Sequence, residues 1–128
     1  MRIKHVAMAV AWFTMGCATA GTAGRTERNP NVITREEIAA AHVYNAYDAV
    51  QTLRPAFFHS HGQTTLSGSD TGLPRVYLNH QLFGDIESLK QLDVSAIREI
   101  HYYSAPEAAN RFGLGNASGA IEVTTDAR

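Results

Sequence analysis

Residues 75–125 read RVYLNHQLFGDIESLKQLDVSAIREIHYYSAPEAANRFGLGNASGAIEVTT, and every junction in that run carries its own local chemistry. Val76 and Leu78 alternate with Arg75 and Tyr77, as on a half-buried strand. Asn79-His80 follows as a two-residue hairpin turn. A type I′ turn needs positive φ at both central residues, which Asn adopts readily and His more often than most. Gln81-Leu82-Phe83 is the return strand. Gly84-Asp85 opens a short helix, with Asp85 as its cap and Ile86, Leu89 and Leu92 pointing inward. Residues 94–97 turn the chain into a strand over 97–103, placing Ile100 and Tyr102 on one face and Glu99, His101 and Tyr103 on the other. Ser104-Ala105-Pro106-Glu107 starts another helix, since proline suits the first turn and Glu107 favours the positive helix end. Gly113 closes that helix after Phe112, residues 115–119 turn, and residues 120–125 form a last strand with Ile121 and Val123 inward.

Working outward from this run, Thr34-Arg35-Glu36-Glu37 is a capping box, so a helix is expected from Arg35 to about His42, with Val32-Ile33 as a short strand before it. Asn45 is placed to cap a second helix. Ala46, Ala49, Val50 and Leu53 fall at i, i+3, i+4 and i+7 on one apolar face, and Pro55 ends that helix at or before Arg54. Ala56-Phe57-Phe58 reads as a short strand or as a buried plug under the sheet. Residues 59–74 are rich in Gly, Ser, Thr and Asp and read as an exposed loop. The pattern predicts an α+β fold: a small mixed sheet of about four strands with short helices packed against it.

The first residues differ in kind. Arg2, Lys4 and His5 make a basic start, and residues 6–15 form an apolar run in which Thr14 is the one polar member. Such a run is too short to cross a hydrocarbon core of about 30 Å as a helix, but it suits the apolar region of a secretory signal. Cys17, the single cysteine, comes directly after Gly16. Two processing readings are open. Thr14-Met15-Gly16-Cys17 resembles a bacterial lipobox, with Cys17 lipidated and first in the mature chain. Alternatively, cleavage follows Ala20 in Ala18-Thr19-Ala20. Lipidation also explains an unpaired exported thiol. The expected organisation is a signal over residues 1–16, a tether over 17–31 and one domain over 32–126.

The order of signals resembles the plug domain of TonB-dependent outer-membrane receptors. The resemblance rests on Arg75-Val76-Tyr77-Leu78, Asp85-Ile86-Glu87-Ser88-Leu89, Ile97-Arg98-Glu99-Ile100, Ala105-Pro106-Glu107-Ala108-Ala109, Phe112-Gly113 and Gly119-Ala120-Ile121-Glu122-Val123-Thr124-Thr125. Ile33-Thr34 and Tyr47-Asp48-Ala49-Val50 are similar to the family's opening region. Asn79-His80 stands where the family has Asp-Gly, and Ala105 where it often has glycine. The resemblance spans residues 32–125 and implies the plug fold, here expected to stand free of a barrel. The implied function is a non-catalytic binding or scaffolding module of the bacterial envelope, associated with outer-membrane transport. It is expected to be held on the membrane by its lipid and to face the periplasm, the alternative being a soluble secreted or periplasmic protein. Its implied partner is an envelope protein or a transport component.

Composition narrows the classes further. Net charge is −1 and no basic block occurs, which speaks against nucleic-acid binding. Gly113-x-Gly115-x-x-x-Gly119 lies between a helix and a strand, the reverse of a dinucleotide loop. No Gly-x-Ser-x-Gly elbow is present, and the acids read as caps or solvent-face residues, so no catalytic residue and no cofactor is expected. Asn116-Ala117-Ser118 matches a glycosylation sequon by coincidence. Candidate ligand- or partner-binding residues are His59 and His61 in the loop, Asn79 and His80 in the turn, and Tyr103 on the strand face opposite Tyr102. The alternative function is a small exported metal-binding protein or metal-dependent enzyme, with imidazoles from His59 and His61.

Replacing Cys17 with serine is expected to move the protein from the membrane to the soluble fraction and to remove a lipid mass, because several acyl chains anchor stably where one does not. Fractionation and intact-mass measurement check this, and unchanged membrane association contradicts it.

Overall fold

The structure, a computed structural model, describes residues 28–59 and 72–126. Cys17, His61 and the proposed signal lie outside the described residues. Strand β1, Val32–Thr34, leads straight into helix α1, Arg35–Ala41. The capping box forms as read: Glu37 N donates to Thr34 Oγ1 at 3.4 Å and Thr34 N donates to Glu37 Oε2 at 3.2 Å. His42, in the left-handed region at φ 52°, ends the helix. Helix α2, Ala46–Leu53, begins at Asn45, whose Oδ1 accepts from Asp48 N at 2.9 Å. Ala46, Ala49 and Val50 are fully buried, as their spacing implies. Pro55 then forces a change, and Pro55–Phe58 forms one 3₁₀ turn. Of the two readings for residues 56–58 the buried one holds: they form no strand, and Phe57 packs in the core.

Strands β2, Arg75–Leu78, and β3, Gln81–Gly84, form the expected hairpin. Asn79 and His80 both take positive φ, 48° and 72°. A 3₁₀ helix over Ile86–Gln91 follows, capped by Asp85 through Ser88 N at 3.2 Å. A shorter 3₁₀ turn, Val94–Ala96, leads to β4, Ile97–Tyr103. Helix α3, Ala105–Phe112, precedes β5, Ala120–Thr125. At the start of α3 the Ser104 amide and hydroxyl both donate to Glu107 Oε2, at 2.9 and 2.6 Å.

The strands make one mixed sheet in the order β1-β4-β5-β2-β3. The short strand read at Val32-Ile33 joins the sheet as the edge strand β1, which brings the strands to five against about four expected. β5 lies at the centre, antiparallel to β4 and parallel to β2. One face carries the main core, where Ile33, Val76, Ile100, Ile121 and Val123 meet α1, α2 and the three 3₁₀ segments. Among the described residues the other face carries one helix, α3, over Tyr77, Ala108 and Ala120, with Tyr103 and Phe112 beside them. The registers define a row across this second face: Val32, His101, Glu122, Tyr77 and Leu82.

Gly119, at φ 86°, is where α3's return loop meets the sheet, and a Cβ there would lie 2.6 Å from the Tyr103 carbonyl oxygen. Gly113 has nearly the same φ but open space around it. Gly113→Ala is therefore expected to cost only backbone strain, about 1–3 kcal/mol, whereas Gly119→Ala adds a clash with fixed backbone and is expected to cost roughly 1–3 kcal/mol beyond its own strain. Urea denaturation checks the contrast, and equal losses would remove the close approach as its cause.

Candidate functional site

Alternation along β5 sends Ile121 and Val123 into the main core and turns Glu122 to the face under α3. Only 2% of Glu122 is exposed. Such a carboxylate is tolerated only with partners, and three elements deliver them. Tyr103, at the end of β4, donates its hydroxyl to Glu122 Oε2 at 3.1 Å. Arg111, in the last turn of α3, donates Nε to the same oxygen at 3.1 Å. His80, the second turn residue, brings Nδ1 to 2.9 Å from Oε1, off the line of an aligned hydrogen bond.

Arg111 also closes the cluster from outside. Its Nη2 is 2.6 Å from His80 Nε2. A guanidinium only donates, so Nε2 is assigned as the acceptor, which leaves the ring proton on Nδ1, facing Glu122. The guanidinium lies over the Tyr103 ring, 5.0 Å from its centroid. Tyr77 stacks on Phe112 at 3.9 Å, and His101 stacks on Tyr103 at 4.2 Å. Burial pushes the Tyr103 phenol above its ordinary value, and the Glu122 charge and hydrogen bond add to the shift, with Arg111 opposing it. Burial, then the Glu107 charge, raises Tyr102 likewise.

The result is a neutralised, sealed carboxylate with an accessible rim. His80 keeps 63% of its side chain exposed and Arg111 39%. The rim thus offers an imidazole, a guanidinium and two stacked rings on a rigid base, and residue types of this kind are favoured at interfaces.

Of the residues singled out from sequence, His80 and Tyr103 meet here. Asn79 does not touch the carboxylate: Nδ2 donates to Thr125 Oγ1 at 2.8 Å and Oδ1 accepts from Thr125 N at 3.0 Å, pinning the turn to the end of β5. His59 is exposed and has no part in the cluster. Among the described residues no group of three or more His, Cys, Asp or Glu is placed to hold a metal ion. Asn116 is 3% exposed, accepts from Tyr77 OH at 3.0 Å and donates to Gly113 O at 2.9 Å, so its amide serves packing.

Glu122 corrects the expectation that the acids sit at caps and on solvent faces, and Arg111 was not singled out either. The missed signal is the acid within Ala120-Ile121-Glu122-Val123. A central strand covered on both faces reads as a continuous apolar run, so a carboxylate inside one marks a paired site.

Comparison with protein-family models, with curated proteins and with solved structures gives no match.

Arg111→Met leaves the Glu122 charge buried without its cation and is expected to destabilise the fold by about 3 kcal/mol; adding Glu122→Gln is expected to restore part of that. Chemical denaturation of the single and double variants checks it, and additive losses contradict the pairing. The raised phenols give a pH signature as well. Their contribution is complete below the unfolded tyrosine value of about 10 and is lost as pH climbs through the higher folded values. Ultraviolet titration of tyrosinate should show Tyr103 moving down towards its ordinary value in Glu122→Gln.

Proposed function

We propose that the chain is a non-catalytic binding or scaffolding module of the bacterial envelope, plug-like in construction and working beside an outer-membrane transport component. In this reading Cys17 carries the lipid, the tether spaces the domain from the outer membrane, and the domain faces the periplasm. Two things support it. The plug-like order of signals falls on successive elements of one sheet-and-helix unit. The observation that carries the reading is the Glu122 cluster, whose carboxylate is sealed at 2% exposure and neutralised by Arg111. A group in that state holds a surface in shape; it is not presented to a substrate as a proton carrier or nucleophile.

Recognition is assigned to the rim of His80, Arg111, His101 and Tyr103. The test is capture from native envelopes with lipidated protein, comparing wild type with His80→Asn. Asparagine keeps the positive-φ turn but removes the ring. A specific envelope partner held by wild type and lost by the folded variant is expected. Equal capture by both, or no partner beyond those of an unrelated lipoprotein, overturns the assignment.

A further inference from the structure

Strand β3 closes one side of the sheet, and among the described residues no strand lies beyond it. Its backbone orientation follows from the hydrogen bonds of its neighbour. Arg75 N and Asn79 N donate to Gly119 O and Val123 O of the β5 side. Backbone direction alternates along a strand, so Tyr77 also turns its groups to β5, while Val76 and Leu78 turn theirs to β3. Leu78 pairs with Gln81 next to the two-residue turn, and Tyr77 stands opposite Leu82 without ladder bonds between them. The N–H and C=O of Leu82 therefore point outward. A register shift between Val76 and Tyr77 then makes Phe83 an extra residue in β3.

Natural sheets guard such an edge with charge, proline, short length or a bulge, and β3 has the last two, being four residues long with the bulge at Phe83. Gln81, Leu82, Phe83 and Gly84 contain no charge and no proline. Instead Leu82 is 59% exposed and Phe83 37%. Just past Gly84 lies a cavity of about 300 Å³, lined by Tyr47, Phe58, Leu73, Asp85, Ile86 and Glu87. Its walls are apolar and aromatic, and its charged lining residues are both acids. The chain's own Lys90 already uses this chemistry, with Nζ 4.6 Å from the Tyr47 ring centroid and an ion pair to Glu87. That combination fits the aliphatic stem and cationic head of a lysine or arginine.

From the outward Leu82 groups, the lack of charge and proline along the edge and the acid-lined cavity at its end, we infer that β3 accepts an extended segment of a partner polypeptide as an added antiparallel strand. One partner residue exchanges both backbone hydrogen bonds with Leu82, an apolar partner side chain covers the Leu82 side chain, and a basic residue N-terminal to it enters the cavity. This mode stands on β3 and the cavity alone. The His80→Asn variant leaves both in place, so failure of the rim assignment and failure of strand addition are distinguishable.

The test uses isotope-labelled protein and a short acetylated peptide of alternating valine and threonine behind an N-terminal lysine. Addition of this peptide is expected to slow hydrogen exchange at the Leu82 amide and to shift the resonances of Leu82, Phe83 and Asp85. A peptide with glutamate in place of the lysine should bind about tenfold more weakly. Asp85→Asn keeps a competent helix cap while removing a charge, and should narrow that difference. Leu82→Pro removes the outward donor and should abolish binding. Leu82→Lys, which guards the edge and keeps the backbone donor, serves if the proline variant does not fold. No protection of Leu82 at millimolar peptide, shifts confined to another surface, or equal binding of the lysine and glutamate peptides overturns the inference. Self-association that Leu82→Lys abolishes would place a second copy on the edge and would overturn it equally.

Discussion

The position of β5 between β4 and β2 is the constraint on which the other elements depend. It pairs antiparallel with β4 over most of its length and parallel with β2. An antiparallel neighbour can follow through a loop, but a parallel one requires a long crossover. The chain between β2 and β5 supplies it, with β3, the 3₁₀ segments Ile86–Gln91 and Val94–Ala96, β4 and α3 all inside the connection. Because β5 is the last of the described strands in sequence yet central in the sheet, the sheet is complete only when β5 has entered between β4 and β2. Ile121 and Val123 then reach the main core at 0% exposure. Arg75 N and Asn79 N find their acceptors on the β5 side, and the Asn79 side chain locks the turn to Thr125.

Placing a strand in the centre buries both its faces, and that is why Glu122 matters. The main-core face is covered by two helices and three 3₁₀ segments, whereas among the described residues the other face is covered by one helix, the eight residues of α3. An apolar residue at 122 would pack under α3 without directional demands. A carboxylate there makes three demands at once, on His80, Tyr103 and Arg111. Buried ion pairs add little net stability over apolar packing, because desolvation offsets most of the Coulomb gain. Their consequence is geometric: α3, the β2–β3 turn and the end of β4 are tied to one point, and the exposed parts of the same side chains form the rim of a rigid surface.

Local chemistry was legible wherever a residue's role is decided by its own neighbours along the chain. Thr34 and Glu37 form the capping box, Asn45 and Asp85 accept from the third residue on, and Asn79-His80 supports positive φ at both turn positions. Alternation separated Ile100 and Tyr102 from His101 and Tyr103. Residues 86–91 form a 3₁₀ helix, a tighter winding than their α-like spacing distinguishes, because Ile86 and Leu89 at i and i+3 suit either. At residues 56–58 three apolar residues gave no period to separate strand from buried turn, and Pro55 at the start of the segment fits the 3₁₀ turn that forms.

By itself, the sequence determined the element order, most boundaries, the α+β class and which face of each strand is apolar, since these follow from capping, φ preferences and periodicity over a few residues. Strand order, the pairing of the short Val32–Thr34 strand onto β4 and the gathering of His80, Tyr103, Arg111 and Glu122 were decided only in the tertiary structure. These four residues come from a turn, two strands and a helix, and pairing across the sheet obeys no sequence period. Read alone, Glu122 looks like the polar half of an alternating strand; it becomes a buried charge only when neighbours on both sides and a helix above remove its water.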